Sequence, residues 1–178
     1  MQNNKTVVLF LIKFFGTYAL LFLLYSYYLE KNQVNEGVFV CAPITKTVAN
    51  QTQFLLNSLG FNTTIEQHTE EISIKVLINN KYVSRVIEGC NAISIIILFS
   101  SFIVAFAGKF KPTFLYILFG SLLIYVVNVV RIALISIALY KFPKHQYILH
   151  DVIFPTIIYG ITFLLWFVWV YKFSKHKK

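Results

Sequence analysis

The stretch TFLYILFGSLLIYVVNVVRIALISIALY, residues Thr113–Tyr140, decides the fold. A helix of this length crosses ~30 Å of hydrocarbon at ~1.5 Å per residue. Three further apolar blocks flank it: Val7–Leu29, Ala92–Ala107 and Phe154–Tyr171. The second is short on its own, and Cys90, Asn91 and Gly108 are expected to extend it. Across all 178 residues, 57% are apolar and 13% charged. Soluble domains run at ~45–50% and ~25%, so disorder and an ordinary water-soluble fold are both excluded. The expectation is an all-α polytopic membrane protein with about four transmembrane helices. Val7–Leu29 is too long for a cleavable h-region, and no small-x-small site follows it.

The net charge of +9 would suggest nucleic acid in a soluble protein. In a membrane protein it reads as topology, and no nucleic-acid partner is expected. Lys172, Lys175, Lys177 and Lys178 form a basic tail, and Lys109 and Lys111 lie in the short loop after the second span. With four spans, Lys5 and Lys13 fall on that same side. All seven acids, including Glu88 and Asp151, fall on the other side, balanced by seven Lys and Arg. Both termini are therefore expected in the cytoplasm, with the chain in the cytoplasmic (inner) membrane.

Three regions follow: an N-terminal transmembrane helix (1–29), an extracytoplasmic segment (30–89), and a three-helix membrane core with a basic cytoplasmic tail (90–178). The segment is expected to be a small α+β cap between the first and second spans. Pro43–Leu59 reads as an amphipathic helix ending at Gly60, with Ile44, Val48, Leu55 and Leu59 on one face. Ile72, Ile74, Val76 and Ile78 alternate as a strand. Asn79-Asn80 makes a hairpin turn, and Tyr82–Ile87 returns as a second strand that delivers the chain into Cys90.

Polar groups inside spans carry the functional signal. Arg131 costs at least ~2.5–3.5 kcal/mol at mid-depth, so it needs a partner or a task. Its bland alternative is an arginine that snorkels from a helix end. Asn128, Tyr125 and Ser121 share its helical face, a polar stripe expected to face the bundle interior. Cys90 heads the second span, with Ser94 and Ser101 on its face. As alternatives it is a small buried hydrophobe, or a disulfide partner of Cys41. His150, next to Asp151, heads the fourth span, which is expected to start near Pro155.

In this topology Cys90, Arg131 and His150 reach one membrane–water level. A thiol, a base and a fixed cation at one depth suit nucleophilic acyl transfer. The base takes the thiol proton, nearby cations favour the thiolate, and the arginine stabilises an oxyanion. No Cys/His/carboxylate set has zinc-site spacing, and nucleotide-binding and G-x-S-x-G motifs are missing, so no cofactor or metal is expected.

These residues resemble the exosortase/archaeosortase family of membrane cysteine transpeptidases, and the short length resembles its exosortase-F type. The matching stretches are Glu88-Gly89-Cys90-Asn91-Ala92, Asn128-Val129-Val130-Arg131 and His150, within about Gly60 to Tyr171. Many relatives have Ser-Gly where this chain has Asn91-Ala92. The resemblance implies a cysteine protease/transpeptidase acting on exported proteins at the outer membrane face. Those substrates end in a short motif, a membrane helix and a basic tail. It implies Cys90 as nucleophile, His150 as acid/base and Arg131 as charge stabiliser, with transfer through a thioester to an acceptor. Asn128 holding Arg131, Asp151 orienting His150 and Glu88 nearby are supporting candidates. Rival readings are a non-catalytic membrane subunit or small transporter binding an anionic lipid or solute through Arg131, and an acyltransferase using the same Cys and His on a lipid thioester.

Overall fold

The computed structural model describes residues 2–35, 38–106, 108–145 and 154–173. Helix α1 (Gln2–Asn32) is followed by a two-stranded ribbon, β1 (Val34–Asn35) and β2 (Val38–Phe39). Then come α2 (Pro43–Ser58) and the strands β3 (Thr63–Gln67), β4 (Ser73–Ile78) and β5 (Lys81–Ile87). Helices α3 (Ile93–Ala105), α4 (Phe110–Lys141) and α5 (Phe154–Phe173) complete the chain.

Among the described residues, three helices are long and apolar enough to cross a membrane: Lys5–Asn32, Phe110–Lys141 and Pro155–Lys172. The protein is thus a mostly helical membrane protein with a small α+β insertion. The expected second span is shorter than the sequence suggested. Its helix has 13 residues, or ~20 Å. Cys90 and Asn91 do not extend it. Glu88–Cys90 form a 3-10 turn, and Ala92 takes a left-handed φ of 68°, so the helical register starts only at Ile93. The helical face projected from Cys90 through Ser94 and Ser101 is broken for the same reason. Ser94 is exposed, whereas Ser101 is buried and donates to the Ile97 carbonyl at 2.7 Å.

Aromatic packing joins the helices. Phe10 of α1 lies 4.5 Å from Phe106 and 5.9 Å from Phe102 between ring centroids, and Phe102 stacks on Trp166 of α5 at 4.4 Å. At Gly120 of α4 the Phe99 ring comes so close that a Cβ would meet Cζ at 2.4 Å. A small residue there sets the α3–α4 approach, as in membrane helix pairs generally.

The insertion forms a cap on α4. Its sheet runs β3-β4-β5, antiparallel throughout, with an irregularity at Val76/Leu77. Asn79 (φ 51°) and Asn80 (φ 62°) both take left-handed angles, the signature of a type I′ hairpin turn. Ile74, Val76, Ile78 and Val86 pack with Val48 and Leu56 of α2 and with Val129, Ile132 and Ala133 of α4. β3 pairs with β4 and makes a third strand where the sequence suggested a hairpin. The buried face of α2 also differs from expectation. It is Thr45, Val48, Ala49, Thr52 and Leu56, while Leu59 is exposed. The polar threonines lie inward because their hydroxyls are bonded, Thr45 to Glu88 and Thr52 to the Val48 carbonyl.

Candidate active site

The turn that carries Cys90 is clamped by the residues on both sides of it. Helix α2 has no side-chain cap of its own, since Ala42 sits at its N-cap. The Glu88 carboxylate supplies one instead: it accepts from the Ala42 N–H at 2.6 Å and from the Thr45 hydroxyl. A carboxylate at that end also suits the helix dipole. Asn91 is buried and donates through Nδ2 to the Tyr25 hydroxyl at 2.6 Å and to Thr45 Oγ1 at 3.1 Å. Its Oδ1 accepts from the Ile93 N–H at 3.0 Å, an Asx turn that opens α3. One short turn therefore joins α1, α2 and α3, and Cys90 sits between its two anchors.

Helix α4 supplies the other side. Asn128 is buried, and its Nδ2 donates to the Cys90 carbonyl oxygen at 2.6 Å. Its Oδ1 accepts from Arg131 Nη1 at 3.2 Å. The Arg131 Nε–H is buried without a hydrogen-bond partner, and no carboxylate pairs with this guanidinium among the described residues. The polar stripe of α4 turns toward the cap rather than into the helix bundle. Tyr125 donates to Gln51 of α2 at 2.8 Å, and Asn128 reaches the Cys90 turn. Cap contacts draw these groups to one side, leaving Val126, Val130 and Leu134 exposed on the other.

Cys90 and Arg131 line one cavity of about 490 Å³ between β5 and α4. Lys81–Arg85 form one wall, and Ile135 and Leu139 continue the α4 wall beyond Arg131. The two cysteines differ. Both are free, but Cys41 is buried at 3% exposure in the cap core, within 3.9 Å of Gln67 Nε2. Burial, reinforced by the Glu88 carboxylate, pushes the Cys41 thiol up to about 11. Cys90 is half-buried and lines the cavity. His150 and Asp151 lie outside the described residues.

With that geometry in place, the comparison with known families is decisive. The sequence model of the transmembrane exosortase family (Exosortase_EpsH) matches residues 7–170. The chain belongs to the transmembrane exosortase family. No curated protein and no solved structure matches it significantly. Exosortase membership carries with it, by family, the processing of sorting signals by a cysteine transpeptidase. In this exosortase the E-x-C and N-x-x-R stretches meet through the Cys90–Asn128–Arg131 chain of contacts.

Sequence reasoning named Glu88 as a neighbour of the site. The structure gives it a definite place, with both oxygens spent on the start of α2. Asn91, Thr45 and Tyr25 were missed as supports of the Cys90 turn. For Asn91 a signal existed, because a buried Asn two residues before a helix start is a common Asx-turn former.

Proposed function

We propose that this exosortase cleaves exported proteins just ahead of a C-terminal membrane helix and basic tail, through a thioester on Cys90. The Cys90 sulfur attacks the scissile carbonyl carbon, and His150 takes the thiol proton. Arg131 stabilises the oxyanion that forms. The C–N bond then breaks, and the departing amine takes the proton from His150. An acceptor nucleophile attacks the thioester and regenerates the thiol. The role of His150 rests on its place at the head of the α5 segment in the family's motif order. The observation that carries the reading is that Cys90 and Arg131 line one cavity and are tied through Asn128.

The same reading gives the orientation. With α3 as a fourth, shorter crossing, both termini lie in the cytoplasm, the 30–89 cap lies outside the cytoplasmic membrane, and residues 90–178 form the catalytic core. From Phe110 to Arg131 is ~30 Å along α4, so a guanidinium there meets the rim of the bilayer. A substrate with its own membrane helix presents its cleavage motif at that depth.

The test is processing of a co-expressed substrate that bears the tripartite C-terminal signal. Cys90→Ala abolishes processing and Cys41→Ala does not. Reporter fusions after Lys111 and Lys144 read inside and outside. Processing that survives Cys90→Ala, or the reverse reporter pattern, overturns the proposal.

A further inference from the structure

Strand β5 and helix α4 run antiparallel along the whole cavity, and three ties fix their register. Asn79 Nδ2, in the turn before β5, donates to the Tyr140 hydroxyl at 3.0 Å. The Ser84 and Ser136 hydroxyls meet at 2.7 Å, and the Cys90 carbonyl meets Asn128 at 2.6 Å. Cys90 and Arg131 therefore sit at one end of the cavity, and Lys81, Leu139 and Pro143 at the other. Among the described residues β5 pairs with β4 on one side only and is an edge strand of the sheet. Five consecutive residues of that edge strand, Lys81–Arg85, line the cavity. An edge strand offers a row of N–H and C=O groups that an extended peptide can take up.

We infer that the substrate's segment upstream of the cut binds as an added strand along β5, parallel to it. This inference rests on the proposed sorting reaction. The direction follows from two facts about the chain. β5 runs from Lys81 toward Ile87 and then, through Glu88–Cys90, into α3. A substrate cut ahead of its membrane helix also runs toward the membrane as it approaches Cys90. Its upstream residues must lead away, as the upstream residues of β5 do. Extended residues advance ~3.3 Å each, so the Lys81–Arg85 wall accommodates about five substrate residues. Strand addition reads mostly backbone, with the α4 wall of Ile135 and Leu139 against one face of the substrate. Lys81 and Arg85 at the edge discourage pairing with unrelated strands.

The experiment is disulfide mapping in full-length enzyme in membranes. The background is Cys41→Ser with Cys90→Ala, carrying either Lys81→Cys or Arg85→Cys. The partner is a substrate that the wild-type enzyme processes, with single cysteines at successive positions upstream of its cut. Adjacent strands bring Cα atoms within disulfide reach. Arg85→Cys should link to substrate positions close to the cut, and Lys81→Cys to positions three or four residues further upstream, since β5 carries an extra residue at Val83. The reverse order overturns the parallel assignment. Scattered or absent crosslinks, with a wild-type thioester still forming, overturn strand addition while sparing the sorting reaction. Ordered crosslinks without any wild-type thioester support the docking and sink the sulfur chemistry. Loss of both overturns both.

Discussion

The Asn128 side chain donates a 2.6 Å hydrogen bond to the Cys90 carbonyl oxygen and accepts one from Arg131 at 3.2 Å. One buried amide thus fixes the backbone beside the thiol and the orientation of the guanidinium. Both ends of an asparagine are needed, since one group donates and the other accepts. The sequence separation is 38 residues between Asn128 and Cys90 but only three between Asn128 and Arg131. The N-x-x-R spacing therefore acts as a helical i, i+3 pair that reaches across to a turn.

Asn128→Asp isolates the carbonyl contact. The carboxylate still accepts from Arg131, but it has no donor for the Cys90 oxygen. Misplacement by ~1 Å lowers rates about 10²-fold, and the Asp and Ala variants should both fall by roughly that factor in single-turnover cleavage, scaled to enzyme abundance. An Asp variant that turns over like wild type would show that the Cys90 contact is dispensable.

Arg131→Lys asks whether a rigid fork or merely a charge is required. A cation that only snorkels to the rim is replaceable by lysine. An oxyanion holder is not, because lysine is a flexible point charge. Loss of one such donor lowers rates by about 10²–10³. That drop is expected for Arg131→Lys with unchanged membrane insertion. Near-wild-type turnover would remove Arg131 from the chemistry.

The two thiols should separate on labelling. At neutral pH a maleimide reaches half-buried Cys90 in the native protein, and buried Cys41 reacts only after unfolding. The raised Cys41 value carries a pH dependence of stability. Its folded pKa of about 11 exceeds the thiol's usual ~8.5. The neutral thiol therefore favours the fold below ~8.5, and that contribution is lost as pH rises toward about 11. Thermal melts over this window should show wild type losing more stability than Cys41→Ala. Rapid native labelling of Cys41 would contradict its burial.

Ala92→Gly should stabilise the protein. Ala92 is buried with φ 68°, a left-handed angle that disfavours a Cβ by roughly 1–2 kcal/mol. Glycine adopts it freely, at an entropic expense of ~0.5–1 kcal/mol. After the loss of a buried methyl worth ~0.8 kcal/mol, a net gain of no more than about 0.7 kcal/mol is expected in detergent melts, with Ala92→Val lower than wild type. A melting temperature that falls for the glycine variant would contradict the strain at this position.

The apolar blocks, the Asn79-Asn80 turn and the helix stop at Gly60 were legible because each is a local signal. β3 was not. Thr63–Gln67 holds one large apolar residue, Ile65, and becomes a strand through pairing with β4. The inward face of α2 was hidden for a related reason. Thr45 looks like a solvent residue until Glu88 arrives from 43 positions away. The shortness of α3 has the same origin, since bonds from Glu88 and Asn91 hold the Cys90 turn out of the helix. Cys90, Arg131 and Asn128 could be picked out as polar groups in apolar surroundings, but the cavity wall of Lys81–Arg85 reads locally as an ordinary edge strand.

The measurement that bears most directly on the central claim is capture of the acyl-enzyme. Tagged substrate and wild-type enzyme are mixed in membranes, quenched in acid during the first turnover, and digested for mass spectrometry. A substrate fragment should be found joined to Cys90 as a hydroxylamine-sensitive thioester, with nothing on Cys41 and nothing in the Cys90→Ala enzyme. Cleaved substrate accumulating in Cys90→Ala, or an adduct on another residue, would contradict it.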